Sequence, residues 1–316
     1  MNFIYHSKDL DGLCCGALAL MNNDKSVLQG YHYNEPFDVR TFKNKVVGMA
    51  DVSLPPEKII SLAKVAKELR WYDHHISAYD GFIEYLEEKN IPYDLLQISE
   101  IVIRIELKEL NMIYFFSPKY SAAELYYFVE GLFEKVNIRV YEIVSLLGQY
   151  DTWRNNDEKK LHYDKDWDSV VIPFQYGMRV FTTPKEIYQN LYLINQEDII
   201  NKGKLVLNYQ KEQNKKAMNN SFVININGIK ILACNGVPFN SGSFESVYDL
   251  YEHDAMLPFV FDGKNNCWNY SLYTEKDSDV LSIAKSYGGG GHAQACGFTT
   301  KDLLLEIQTY HEKTNE

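Results

Sequence analysis

Three consecutive side chains, Asp73-His74-His75, place a carboxylate and two imidazoles directly behind the run Leu69-Arg70-Trp71-Tyr72. On an extended strand neighbouring side chains point to opposite faces, so such a run is wasteful inside a core. At the exit of a strand it gathers an acid and two bases around one point. Alone it reads as a polar loop, but its company changes that reading. His6-Ser7-Lys8-Asp9-Leu10-Asp11-Gly12 and Met49-Ala50-Asp51 lie upstream of it. Gln149-Tyr150-Asp151 and Gly288-Gly289-Gly290-Gly291-His292 lie downstream. Each acidic cluster of the first half follows an apolar run that can end a strand or a helix, and several such ends imply one shared centre.

His6, Asp9 and Asp11 fall within one turn, and Asp51, His74 and Asp151 can join them from other element ends. Mixed imidazole and carboxylate donors suit Mn²⁺, Fe²⁺ or Co²⁺, and no thiolate cluster is present to select zinc. These donors exceed what one ion with open positions needs. A pair of ions roughly 4 Å apart, bridged by one carboxylate, uses them all and can activate water while neutralising a phosphoryl oxygen. In the glycine run, Gly289, Gly290 and Gly291 let backbone N–H groups approach an anion and His292 adds a donor. The run is too glycine-rich for a strand interior, and no Gly-Lys-Ser/Thr follows to make it a Walker loop. Its plainer alternative is a flexible turn. Cys14 and Cys15 read as small helix-packing residues rather than nucleophiles. Lys8 and Arg154 read as solvated surface charges rather than phosphate ligands. His162 and His253 have no partners in the sequence and take no role.

The elements that must position these groups follow an α/β rhythm. Phe3 to Tyr5 is a short strand, the polar turn His6 to Gly12 follows, and Leu13 to Met21 is a helix of small residues. Val27 to Tyr33 and Lys45 to Ala50 give two more strands, the latter ending at Asp51. Pro55-Pro56 opens a helix with apolar residues at Ile59, Leu62, Val65 and Leu69, and the strand into Asp73 comes next. In a parallel sheet the carboxyl ends of such strands share one edge, where ligands bind. Leu95 to Phe116 breaks the rhythm and reads as a β insertion of two strands, Ile101 to Leu107 and Met112 to Phe116, near the site. Ser121 caps a helix with Glu124 in its first turn. Val140 to Leu147 is another helix, leading to Asp151. Residues 185–220 are helical and increasingly charged. Beyond them Asn227-Gly228 signals a hairpin between Phe222 to Ile226 and Ile229 to Ala233. A helix over Ser243 to Tyr251, strands Leu257 to Phe261 and Cys267 to Tyr273, and a helix over Val280 to Tyr287 complete the pattern.

At 316 residues the chain suits two medium domains. The division expected is 1–184, a helical connector 185–220, and 221–316. No stretch approaches the roughly 18 apolar residues of a membrane span, and the amino terminus shows no signal-peptide pattern. Five cysteines without a Cys-x-x-Cys pair fit reduced thiols and a cytoplasmic setting. A net charge of −11 is the wrong sign for tracking a long polyanion, so no long duplex is expected as partner. Bound divalent cations would offset part of that charge.

Taken together and in this order, the motifs resemble the DHH phosphoesterases that carry a C-terminal DHHA1 domain. The first is His6-x-x-Asp9-x-Asp11-Gly12, the second Asp51, the third Asp73-His74-His75 and the fourth Gln149-Tyr150-Asp151. The glycine-histidine run resembles the substrate-binding signature of DHHA1. The resemblance implies a Rossmann-like parallel-sheet domain, a smaller mixed α/β domain, and an active site between them holding two Mn²⁺, with Mg²⁺ or Co²⁺ as substitutes. It implies that His6, Asp9 and Asp51 bind one ion and that Asp11, Asp51, His74 and Asp151 bind the other. His75 would then face the phosphate, with Asp73 supporting the cluster. Two departures stand out: Cys15 where the family often has Ser, and the Leu95 to Phe116 segment, which could reshape the cleft. Size and signature are most similar to the nano-RNase type, which trims short oligonucleotides from the 3′ end to mononucleotides. Cyclic or linear dinucleotides and 3′-phosphoadenosine 5′-phosphate are alternative substrates. RecJ-type exonucleases carry a further domain, and pyrophosphatases of the superfamily lack the glycine-histidine run. A non-catalytic nucleotide sensor is the alternative of another class, but it would need broken metal motifs. No membrane partner is expected, and the chain would be a monomer or homodimer.

Overall fold

The computed structural model describes residues 1–32, 35–155, 159–236 and 240–304, with only the backbone of His292. Two compact units divide the chain, Met1–Leu207 and Asn208–Glu316.

In the first unit the elements run β1 (Asn2–His6), α1 (Leu10–Asn22), β2 (Val27–Tyr31), β3 (Val46–Ala50), α2 (Pro56–Val65), β4 (Glu68–Asp73) and α3 (Ile76–Glu88). Then come β5 (Asp94–Ser99), β6 (Val102–Leu107), β7 (Met112–Phe116), α4 (Ala122–Val129), α5 (Ile138–Asp151), α6 (Ile172–Met178), α7 (Pro184–Asn190) and α8 (Gln196–Met218). The division between the units falls within α8.

Among the described residues the strands form a seven-stranded sheet in the order β2-β1-β3-β4-β7-β6-β5. The first five of these pair in parallel, and β6 and β5 extend the edge antiparallel. Both faces are covered. Phe3, Ala50, Tyr72 and Phe115 pack with residues of α1, α4 and α5 on one face. Ile4, Met49, Trp71 and Tyr114 pack with residues of α2 and α3 on the other. This explains why β3 reads as a continuous apolar run instead of an alternating one. Every position of α1 from Leu10 to Ala19 is buried, so small residues suit it. β1 lies between β2 and β3, so the chain reverses its direction of travel across the sheet there, the crevice where open α/β sheets bind ligands.

Several expectations are corrected. α2 stops at Val65, and Leu69 belongs to β4, where its side chain is fully buried. Leu95 to Phe116 is no insertion: β7 is a core strand pairing in parallel with β4, and Tyr114 stacks on Trp71 with ring centroids 3.7 Å apart. β2 ends at Tyr31, and Tyr33 lies outside the described residues.

In the second unit a six-stranded mixed sheet runs β12-β13-β11-β10-β9-β8 among the described residues. Its strands are β8 (Phe222–Ile226), β9 (Ile229–Asn235), β10 (Ala255–Asp262), β11 (Cys267–Tyr273), β12 (Gly290–His292) and β13 (Ala295–Thr300), with α9 (Val280–Ser286) against them. The β8–β9 hairpin turns at Asn227-Gly228, both at positive φ as that turn requires. No helix forms over Ser243 to Tyr251. A 3₁₀ turn at Ser241–Phe244 ends there, and the Asp249 amide donates to Nδ1 of buried His253 (3.1 Å), an alternative partner to a helical carbonyl. The fold is therefore α/β: a mostly parallel sheet unit and a smaller mixed α/β unit. Among the described residues no helix is long and apolar enough to cross a membrane.

Candidate metal centre

β1, β3 and β4 are parallel neighbours, and each delivers its chemistry at its carboxyl end. His6 is the last residue of β1, Asp9 caps α1, Asp51 follows β3 and Asp73 closes β4. Asp151 arrives from the last turn of α5. The Asp9 carboxylate accepts the Gly12 amide at 2.9 Å, which fixes the turn between strand and helix. Gly12 leaves no room for a side chain, since a Cβ there would lie 2.2 Å from the His6 carbonyl oxygen. Asp51 has φ 59, a left-handed conformation that Asp tolerates better than most residues, and its amide donates to the Tyr72 carbonyl at 3.0 Å.

The structure brings all six sequence-predicted donors together, in two groups that share Asp51. Donor atoms of His6, Asp9 and Asp51 lie within 4.8 Å of one another, and so do those of Asp11, Asp51, His74 and Asp151. His6 Nδ1 pairs with Asp9 and lies 3.7 Å from Asp51. His74 Nε2 lies 2.9 Å from Asp151 and 3.3 Å from Asp51. Asp51, Asp73, His74 and His75 form a third cluster, but the oxygens of Asp73 are already taken. Oδ1 of Asp73 accepts from the His74 amide (2.8 Å) and pairs with His75 Nδ1 (2.7 Å), while Oδ2 accepts from Ser53 Oγ (2.7 Å). Asp73 therefore supports the cluster and His75 is oriented by it, with the His75 side chain 41% exposed.

Electrostatics mark the centre as built for added positive charge. Burial pushes the Asp51 carboxyl up to about 6, against the pull of His6 and His74. Burial, then the carboxylates of Asp151 and Asp51, drive Asp11 well above the usual range. Burial pulls His6 down, but Asp51 and Asp9 outweigh it and hold the ring at about 10. The same contest, with Asp151 and Asp51 winning, raises His74 far above its ordinary value. Burial works against the charge on Asp73, yet His75, His74 and Ser53 keep its carboxyl low.

Oδ1 of Asp11 and Oδ2 of Asp51 are buried without a hydrogen-bond partner among the described residues. A buried polar atom left so costs about 1–3 kcal/mol, and a cation would satisfy both of these atoms at once. Oxygen and imidazole donors in this number fit divalent first-row ions or Mg²⁺.

Other residues fall differently. Sequence spacing does not single out His32, although it sits one residue past β2 on the same sheet edge. Its Nδ1 lies 3.3 Å from His6 Nε2, with the rings stacked at 5.5 Å. Such a contact on a ligand's second nitrogen orients the ring. Arg154 is no surface charge: 2% exposed, it pairs with Glu124 (2.9 Å) and Asp164 (2.8 Å), locking the segment after Asp151 to the first turn of α4. Removing one partner of such a buried group typically costs about 3–5 kcal/mol. Cys14 and Cys15 are fully buried in α1, and burial pushes both thiols up. In the glycine run, Gly290 to His292 pairs with β13 as a short strand, contrary to the expectation that glycine excludes one. Gly289 and Gly291 pack against that neighbour too closely for a Cβ, whereas a Cβ on Gly290 would meet open space. The His292 side chain lies outside the described residues.

The fold, a mostly parallel sheet unit followed by a smaller mixed one, resembles that of a solved phosphodiesterase. Among solved structures, the pGpG-specific phosphodiesterase PggH from Vibrio cholerae is similar at 12% identity, over 95% of this chain and 92% of that chain, with a TM-score of 0.50. An exopolyphosphatase-related protein from Bacteroides fragilis aligns at 13% identity over 96% of this chain and 87% of that chain. Its TM-score is 0.47. No family model and no curated protein matches the sequence.

Proposed function

We propose that this chain is a metal-dependent phosphodiesterase that hydrolyses short oligonucleotides from the 3′ end to mononucleotides, with two Mn²⁺ as its working ions. The observation that carries the reading is the pair of donor groups sharing Asp51, with buried oxygens of Asp11 and Asp51 left for a cation. In this reading His6, Asp9 and Asp51 hold one ion and Asp11, Asp51, His74 and Asp151 the other. When bound, such ions supply an activated water and neutralise charge on a phosphoryl oxygen. The chain's own contribution is orientation and proton control. Asp73 fixes the His75 ring through Nδ1 and, overcoming the effect of burial, raises its pKa. A proton held more tightly on His75 in this way suits a donor to a phosphate oxygen better than a general base. Ser53 and the His74 amide hold Asp73 in that role.

A second reading, hydrolysis of linear or cyclic dinucleotides, is favoured by the fold likeness to a pGpG-specific enzyme. The substrate-binding role of the glycine run rests on Gly290 and His292 and is tested by Gly290→Val and His292→Ala. Five free thiols fit a reducing compartment.

One panel tests the proposal: the protein with Mn²⁺ against RNAs and DNAs of graded short length, linear and cyclic dinucleotides, and 3′-phosphoadenosine 5′-phosphate. Release of mononucleotides from the shortest RNAs, abolished by EDTA, is the expected result. Cleavage confined to dinucleotides selects the second reading, and hydrolysis of nothing in the panel overturns both.

A further inference from the structure

Among the described residues, the non-glycine positions with positive φ are Asn44, Asp51, Asn90, Asn111, Trp153, Asn227 and Asn266. All but one are Asn or Asp, whose short polar side chains tolerate that region; a bulky aromatic there is an outlier. Trp153 has φ 51, and its ring is 60% exposed. Neither fact helps the fold, since tryptophan ordinarily stabilises a protein by burying its large surface. The chain nevertheless holds it in place. The Trp153 amide donates to the Tyr150 carbonyl (3.1 Å), and its own carbonyl accepts from Asn155 (2.9 Å). The next residue, Arg154, is the one locked to Glu124 and Asp164.

The ring has company. Tyr150 and Trp167 lie parallel, with centroids 5.6 Å apart and planes 6° from one another. Trp153 stands 6.4 Å from the first and 5.9 Å from the second. Arg179, exposed, lies over Tyr176 at 4.1 Å and interacts with the Tyr150 hydroxyl. In sequence two of the three flank one donor of the candidate centre, for Tyr150 precedes Asp151 and Trp153 follows it by two residues. Strained backbone that the surroundings over-determine gathers at functional sites.

We propose that Trp153, backed by Tyr150 and Trp167, is a stacking platform for a nucleobase of the substrate whose phosphate meets the centre at Asp151. The proposal rests on the phosphodiesterase reading and assigns the surface that holds the substrate's base. Every nucleobase presents a π-face to an aromatic ring, whereas polyphosphate and pyrophosphate offer none. Arg179 beside the trio supplies a cation for a flanking phosphate.

The experiment follows tryptophan fluorescence while adenosine 5′-monophosphate or inorganic phosphate is titrated into the protein, with and without Mg²⁺. Adenosine 5′-monophosphate should quench the wild type and inorganic phosphate should not. Trp153→Ala should lose the quench and, by isothermal titration calorimetry, weaken nucleotide affinity by about 5- to 150-fold, the range for losing one base stack. Its affinity for inorganic phosphate should stay within about twofold. Trp153→Phe should recover part of the loss. Trp153→Gly should bind as poorly as the Ala variant while its Tm stays level or rises, because glycine relieves the positive φ. Unchanged nucleotide affinity in the Ala and Gly variants overturns the platform, as does a wild type that does not bind the nucleotide. So does a lowered Tm in Trp153→Gly, which would make the ring a packing residue. Kinetics separate the two layers of inference. If Trp153→Ala cleaves the dinucleotide pApA with the wild-type KM, the platform falls and the hydrolase reading stands. If no phosphodiester is cleaved but nucleotide binding depends on Trp153, the reverse holds.

Discussion

Replacing Asp51 with asparagine separates what this residue does for the centre from what it does for the fold. Asparagine keeps the shape and the tolerance of positive φ but removes the charge. In the metal-free protein that charge is a burden, because the buried carboxyl titrates at about 6 against 3.8 for an ordinary aspartate. The folded state thus binds this proton more tightly than the unfolded chain does. Ionised Asp51 destabilises the fold fully above about pH 6, and the penalty fades as pH falls to about 4. At about 1.4 kcal/mol per pKa unit, the penalty at pH 8 is about 3 kcal/mol. In EDTA at pH 8, Asp51→Asn should therefore be the more stable protein by about 3 kcal/mol, or about 6–12 °C in Tm for a unit of this size. At pH 4 the advantage should vanish. Mn²⁺ at a hundred times its Kd should stabilise the wild type by about 2.7 kcal/mol per ion. It should leave the variant unmoved, since Asp51 belongs to both donor groups. Urea and thermal unfolding of both proteins, in EDTA and in Mn²⁺, measure these differences. A variant less stable than wild type in EDTA, or one that Mn²⁺ still stabilises, would refute the reasoning.

Three further outcomes are expected. His74→Ala should lose bound metal and turnover together, whereas His75→Ala should keep its metal and lose about 10²–10⁴ in kcat; equal metal loss in both, by elemental analysis, contradicts the division of roles. Gly12→Ala must move His6 or α1 to relieve its 2.2 Å contact, costing about 1–3 kcal/mol and weakening Mn²⁺ binding. Gly81→Ala, within α3 and facing open space, should instead be neutral or stabilising by up to about 1 kcal/mol, so similar effects at the two positions in calorimetry would speak against the close-packing argument. His6 keeps its proton up to about pH 10 without metal, a stabilisation that is full below about pH 6.5 and lost as pH rises through about 10. An ion must displace that proton, so Mn²⁺ affinity should rise by up to about tenfold per pH unit between pH 7 and 9, with proton release visible in titration calorimetry; a flat profile would remove His6 from the donor set.

What the sequence disclosed well were the ends of strands. Apolar runs closing on His6, Asp51 and Asp73 are visible as text because parallel strands are buried on both faces and their polar residues collect at one edge. Edges and pairings were less visible. β5 is exposed along its whole length, so Asp94 to Ser99 carries no alternation to betray it, and the adjoining strands looked like an insertion. α3 buries only Phe82 and Leu86, too few to stand out. Arg154 was misread because its two acid partners come from residues distant in sequence. His32 escaped because its meaning lies in the ring it touches. The glycine run promised an anion cradle by composition, yet Gly289 and Gly291 answer to the packing of β12 on β13, a demand that composition does not express.

The two thiols sealed inside α1 provide a clock for the helix that carries Asp9 and Asp11. Cys14 and Cys15 are 0% exposed and their thiolates are suppressed, so an alkylating reagent can reach them only when that part of the protein opens. Partly exposed Cys267, in the other unit, gives a fast internal reference on the same chain. The ratio of the labelling rates then reads out how often the first unit loosens. The same two residues that play no part in the proposed chemistry would record, minute by minute, how far a bound ion slows the breathing of the helix beneath it.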